Sequence, residues 1–180
     1  MAVVVGACGF SMPASVGSGS DAATDGSPVP IDVALACPAN YKPLPGAPSM
    51  YRVVGGTMAV PTAGRTTWIG AELDCRDDGT GTHLAIPETQ AENQAFVDVL
   101  SGASRWLGVT DRKTEGTWVP IIATTGWFAR WAGGVPGADD CLLLSRTSFH
   151  EAMPCQSGDP QWNKGFICEC DGALVDATSF

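Results

Sequence analysis

Seven cysteines, at 8, 37, 75, 141, 155, 168 and 170, constrain this 180-residue chain more than any other feature. Their spacing is wide. A structural zinc site usually shows two short-spaced pairs, whereas the one short interval here is Cys168-Glu169-Cys170. Alternate residues of a strand share a face, so both of those cysteines can reach partners on neighbouring elements. The pattern favours three disulfides plus one odd cysteine, and with them an oxidising compartment. The length suits one domain with a sizeable core.

Charge narrows the partners. Ten Lys and Arg stand against 19 Asp and Glu, a net charge of −9. All ten basic residues lie between Lys42 and Lys164, while residues 1–36 and 171–180 carry only Asp21, Asp25, Asp32, Asp171 and Asp176. There is no basic stripe, which argues against nucleic-acid binding. No segment approaches the ~20 apolar residues of a membrane span. Neither GxSxG, HExxH nor a phosphate loop occurs, and no enzymatic activity is expected.

The chain divides by composition. Residues 9–36 are rich in Gly, Ser, Ala, Pro and Asp with almost no large apolar side chain. Such a stretch buries too little surface to offset its ordering entropy and is expected to be a flexible linker. Ahead of it, Val5-Gly6-Ala7-Cys8 resembles the lipobox of bacterial lipoproteins, in which the cysteine becomes lipidated. No basic residue precedes it and the apolar run is short for a signal peptide, so either the true start lies upstream or the match is chance. If Cys8 is lipidated, the linker holds the domain off a membrane; otherwise 9–36 is an N-terminal segment without a role.

Structure is expected from Cys37. Tyr51–Val54 reads as a strand. Thr66–Cys75 has a helical pattern, with Thr67 as N-cap and Trp68, Ala71 and Cys75 on one face. His83–Ile86 reads as extended, and Glu88–Leu100 as a second helix with Ala91, Phe96, Val97 and Leu100 on its apolar face. The central segment follows. Trp106, Leu107 and Val109 predict a buried strand, Asp111–Gly116 a tight turn, and Thr117-Trp118-Val119 a second short strand. That turn sets Asp111 and Glu115 close together, either as a solvated turn or as the start of a hard-cation site. Residues 121–140 are irregular and Gly-rich, with Trp127, Phe128 and Trp131, and long loops of this kind are often functional. Strands are expected again at Cys141–Leu144 and Phe166–Cys170, with 171–180 a short tail. Two early helices and several short strands predict an α+β domain.

One ordered series is specific: Trp68, Ala71, Cys75, His83-Leu84-Ala85, Glu92, Phe96-Val97, Trp106-Leu107-Gly108-Val109-Thr110-Asp111, Glu115-Gly116-Thr117-Trp118, Trp131, Asp140-Cys141, Cys155 and Phe166-Ile167-Cys168-Glu169. It resembles a C-type lectin-like domain over residues 37–170. The resemblance implies Cys75 paired with Cys168 and Cys141 with Cys155, and first and last strands side by side, which leaves Cys37 for Cys170. In sugar-binding members a calcium ion chelates two sugar hydroxyls, and calcium needs six to eight oxygen ligands. Here the first ligand triplet is replaced by Val135-Pro136-Gly137 and the second by His150-Glu151-Ala152. Only Asp139 and Glu151 remain, and no sugar binding through the usual calcium is expected. The resemblance also implies an auxiliary, structural calcium held by Asp111, Glu115, Asp139 and Asp140. Trp127 and Trp162 match no family core position and are candidates, with Glu151, for ligand contact. His150 with Cys155 suggests a Cys-His nucleophile only if Cys155 is free, and the resemblance places it in a disulfide. The expectation is a secreted or surface-tethered binding module for a protein or a glycan, with a calcium-dependent lectin of divergent site as the alternative.

Overall fold

The computed structural model describes residues 36–55, 67–124, 126–156 and 164–178. Cys8 and Trp162 lie outside the described residues. Ten elements follow in order: β1 (Lys42–Pro43), β2 (Met50–Val54), α1 (Trp68–Asp77), β3 (Thr82–Leu84), α2 (Gln90–Asp98), β4 (Arg105–Thr110), β5 (Val119–Pro120), β6 (Cys141–Leu144), β7 (His150–Met153) and β8 (Gly165–Cys170). The strands form one sheet in the order β1-β2-β8-β4-β6-β7, with β3 added on β8 and β5 on β4. Only the β4–β8 pair is parallel.

Helix α1 forms where its cap and apolar spacing place it. Thr67 accepts from the Gly70 N–H at 3.0 Å, and Trp68, Ala71 and Cys75 are buried. The Trp68 indole N–H donates to the Leu107 carbonyl at 2.7 Å, which pins the helix to β4. At that crossing Gly108 lies so close to β3 that a Cβ would stand 2.4 Å from the Leu84 carbonyl oxygen. No other residue type fits there.

Two expected elements come out differently, and β7 appears without having been expected. Helix α2 begins at Gln90, after Thr89 caps the Glu92 N–H at 3.1 Å, and it ends at Asp98. Ala91 is exposed, and the buried face is Glu92, Asn93, Ala95 and Phe96. The helix is rotated because Glu92 has partners inside: it accepts from the Tyr51 hydroxyl at 2.5 Å and the Glu88 N–H at 2.8 Å. Strand β5 comprises only Val119 and Pro120, because two successive turns, Thr114 N–H to Asp111 and Thr117 N–H to Thr114, occupy the chain up to Thr117. Residues 150–153 form strand β7 against β6, where no strand was expected.

Disulfides join Cys37 to Cys170, Cys75 to Cys168 and Cys141 to Cys155, the pairs that the resemblance implied. The first ties the domain's entry to β8, the second ties α1 to β8, and the third closes the segment after β7. Residues 171–178 are stitched to the domain. Val175 bridges Ile122, the Asp176 N–H donates to the Ile121 carbonyl, and Asp171 meets His83 at 3.0 Å. Among the described residues no helix is long and apolar enough to cross a membrane.

Candidate functional site

The irregular stretch between β5 and β6 is laid over one end of the sheet and held by identifiable contacts. Thr124 donates to the Glu88 carboxylate at 2.6 Å, and the Phe128 N–H donates to the Pro87 carbonyl at 2.6 Å. The third anchor is His150, which is fully buried at the start of β7. Its Nδ1 accepts from the Arg130 N–H at 3.0 Å, so Nε2 carries the proton and donates to the Asn93 side-chain oxygen at 2.8 Å. Its own N–H donates to the Arg130 carbonyl at 2.7 Å. Burial, reinforced by the nearby Arg130 guanidinium, lowers the imidazole pKa to about 4, and the ring is neutral. One neutral histidine thus joins the loop, β7 and α2.

Around this clamp the aromatic rings pack on one another. Trp118 meets Trp131 edge-on at 4.7 Å between centroids, Trp127 meets Trp131 at 5.8 Å, and His150 lies 5.8 Å from Trp127. All three tryptophans are half-buried against the core. Trp127 is therefore a supporting wall of the loop rather than a side chain standing out in solvent. Beyond Trp131 the chain makes a short 3-10 turn at Ala132–Gly134 and runs exposed through Ala138. Val135 is 69% exposed. Gly137 comes back against β7, where a Cβ on it would lie 3.3 Å from the Ala152 methyl.

The two places from which the resemblance would draw sugar-chelating oxygens are therefore neighbours in space. At their meeting point stand Gly137 and Ala152, neither of which offers a side-chain oxygen. Glu151 is half-buried on β7, opposite Leu143. Cys155 is bonded to Cys141, so it is no nucleophile for His150.

The other acidic group behaves differently. Asp111 is buried at the end of β4; one carboxylate oxygen accepts from the Gly116 N–H at 2.8 Å and the other has no partner. Burial pushes its pKa up, the Gly116 bond pulls it down, and the Asp140 charge adds to the rise. Asp140 is half-buried, and its carbonyl accepts from the Asp111 N–H and the Thr110 hydroxyl. Glu115 and Asp139 are exposed. Among the described residues no group of three or more His, Cys, Asp or Glu side chains is placed to hold a metal ion. The unpartnered Asp111 oxygen is a feature a cation would satisfy, but the other carboxylates are not gathered around it.

His150 and Asn93 were not foreseen as organisers of the loop. A signal existed for Asn93, because an amide on the buried face of a helix must find a partner. Nothing local in the sequence shows that His150 is that partner.

One mixed sheet flanked by two helices, tied by three disulfides and carrying a long irregular loop at one end, defines a C-type lectin-like domain. Comparison with known proteins agrees: the family model for the lectin C-type domain matches residues 64–170, and the chain belongs to that family. C-type lectin BML-2 of Bungarus multicinctus is 28% identical over 116 residues, covering 58% of this chain and 70% of that protein. Among solved structures, the cow C-type carbohydrate-recognition domain of CD23, determined in the presence of GlcNAc2Man3 oligosaccharide, superposes with a TM-score of 0.59 at 17% identity, covering 74% of this chain and 95% of the other. A calcium-independent type II antifreeze protein superposes with the same TM-score of 0.59 at 21% identity, covering 77% and 96%.

Proposed function

We propose that the chain is a non-enzymatic, extracellular binding module that recognises a protein or a glycan through the loop between β5 and β6, without a sugar-chelating calcium ion. One observation carries this reading. Where the family's chelating side chains would meet, Gly137 packs on Ala152, and calcium needs about six to eight oxygen ligands. The calcium-independent antifreeze protein among the structural neighbours supports the idea that this fold serves without the ion. Three disulfides support an oxidising, extracellular setting. Lipidation at Cys8 would add a membrane tether, and radiolabelled palmitate incorporation lost in Cys8→Ser would establish it. The test of the main reading is a glycan array probed with the full chain in calcium and again in EDTA. Binding unchanged by EDTA supports it, and glycan binding abolished by EDTA overturns it.

A second reading rests on Asp111. Its unpartnered buried oxygen offers one ligand to a structural calcium ion, whose shell Asp140, Asp139 and Glu115 would complete only by closing in on it. A thermal melt in calcium and in EDTA decides between cation and proton. A midpoint raised by calcium in the wild type but not in Asp111→Asn supports the ion, and identical midpoints remove it.

A further inference from the structure

The loop that supplies the proposed ligand face is unusual in what it exposes. From Gly126 to Ala138 the chain contains a single charged residue, Arg130, and no acid, in a protein of net charge −9. Residues 129–138 are exposed apart from half-buried Trp131. Outward from the clamp this face consists of Ala132, Gly133, Gly134, Val135 and Pro136, with Val135 the most exposed large apolar side chain among the described residues. Exposed apolar surface on a rigid support marks a docking site more often than chance.

Two features choose the occupant. Glycans are held by convergent polar side chains and by open aromatic faces. Beyond Arg130 and the indole N–H groups of Trp127 and Trp131 this stretch offers no side-chain hydrogen-bonding group, and its tryptophans are packed edge-on to one another. Arg130 has no acidic partner among the described residues, and its guanidinium is set 4.6 Å from the centre of the Phe149 ring. A cation steadied in this way, five residues before Val135 on the same exposed stretch of a net-acidic molecule, is complementary to a segment that carries both a carboxylate and a large apolar side chain. The backbone of Arg130 is fixed beforehand through His150 and Asn93, which lowers the entropy cost of docking at the cation.

We propose that the ligand of this face is a protein, which seats an aliphatic or aromatic side chain on Val135 and Pro136 and brings a carboxylate to Arg130. This rests on the reading that the loop binds without calcium. The probe is a phage-displayed library of random peptides selected on the full chain in EDTA. The expected outcome is a family of peptides combining a large apolar residue with Asp or Glu. Their affinity should fall by about tenfold or more in Val135→Asp and be unchanged in Leu73→Asp, which alters an exposed leucine on α1. Binding lost in Arg130→Glu should return when the peptide's acid is replaced by Lys. Val135 and Arg130 are exposed, and a melt confirms that the variants fold. The proposal is overturned if no peptide family emerges, if selected peptides ignore both variants, or if a glycan on the array is what Val135→Asp loses. Peptides or glycans that bind only in calcium would instead overturn the calcium-independent reading itself.

Discussion

Arg105 carries a charge into the sheet with no carboxylate to meet it among the described residues. It is 1% exposed, its Nε has no partner, and one terminal N–H reaches the Ser104 carbonyl at 3.2 Å. Desolvation alone lowers its pKa. A buried charge without a counter-ion costs stability, and an apolar side chain of similar volume often does better. Arg105→Met is therefore expected to stabilise by about 1–2 kcal/mol, visible as a midpoint rise of roughly 3–6 °C. Arg105→Ala should fall below the wild type, because the Arg105 stem packs on Gly165 and its loss leaves a cavity. Calorimetry of both variants checks this, and two destabilised variants would show that the guanidinium is satisfied in solution. Single residues were unevenly legible in the sequence. The cysteines were readable because their covalent chemistry and family order restrict the partners. Arg105 was not, since strand alternation cannot distinguish an arginine that turns inward from one that does not.

At the scale of elements, what was legible is what carries its own signal. Helix α1 has a capping threonine and an apolar repeat, and it lies where both place it. The buried strands β4, β6 and β8 are short apolar runs. Strand β7, His150-Glu151-Ala152-Met153, has no such run and is a strand because β6 offers it an edge. The face of α2 was misjudged for a related reason: Glu92 and Asn93 are polar, yet partners from β2 and β7 draw them inside. The loop clamp is legible only in three dimensions. Replacing His150 by Ala removes both ring hydrogen bonds and leaves Asn93 and the Arg130 N–H without partners. The expected cost is about 2–4 kcal/mol. Hydrogen exchange should quicken at the Arg130 and Trp131 amides beyond that global change, while amides of β4 track global stability alone. Equal acceleration throughout would show that His150 is merely a core residue and that the loop is held elsewhere.

For the molecule as a whole, the cluster of buried ionisable groups between α1, α2 and β8 sets a pH dependence opposite to that of most small domains. Burial raises the Glu72 and Glu169 carboxyls to about 7, with the neighbouring Glu92 charge adding to the rise at Glu169. Between the usual carboxylate value near 4.5 and 7, the folded state keeps protons that the unfolded chain has lost, so stability falls as pH rises through that window. His83 acts in the same direction. Burial pulls its imidazole down, but hydrogen bonds to Asp171 and the Leu84 carbonyl, with the Glu169 and Asp171 charges, outweigh it and the net shift is upward. Its contribution is whole below 6.5 and is lost as pH rises through the folded value. Two groups oppose. His150 stays neutral down to about 4, so stability falls on acidification from 6.5 toward that value. Asp171 is depressed: burial raises it, but the His83 bond and the Ala173 N–H prevail, and what it contributes is lost in strong acid. The midpoint should therefore be highest in mild acid, near pH 5, and decline toward pH 8. Glu72→Gln isolates one arm of this balance, since its amide oxygen still accepts from the Leu84 N–H while the titrating proton is gone. Between pH 5 and 8 the wild type should lose on the order of 2–3 kcal/mol more than the variant, whatever the fixed cost of placing an amide there. Denaturant titrations at pH 5, 6.5 and 8 measure the difference directly. Parallel stability curves would mean that Glu72 is already ionised in the folded state at pH 5, and that its buried carboxylate is met by a partner other than the Leu84 amide.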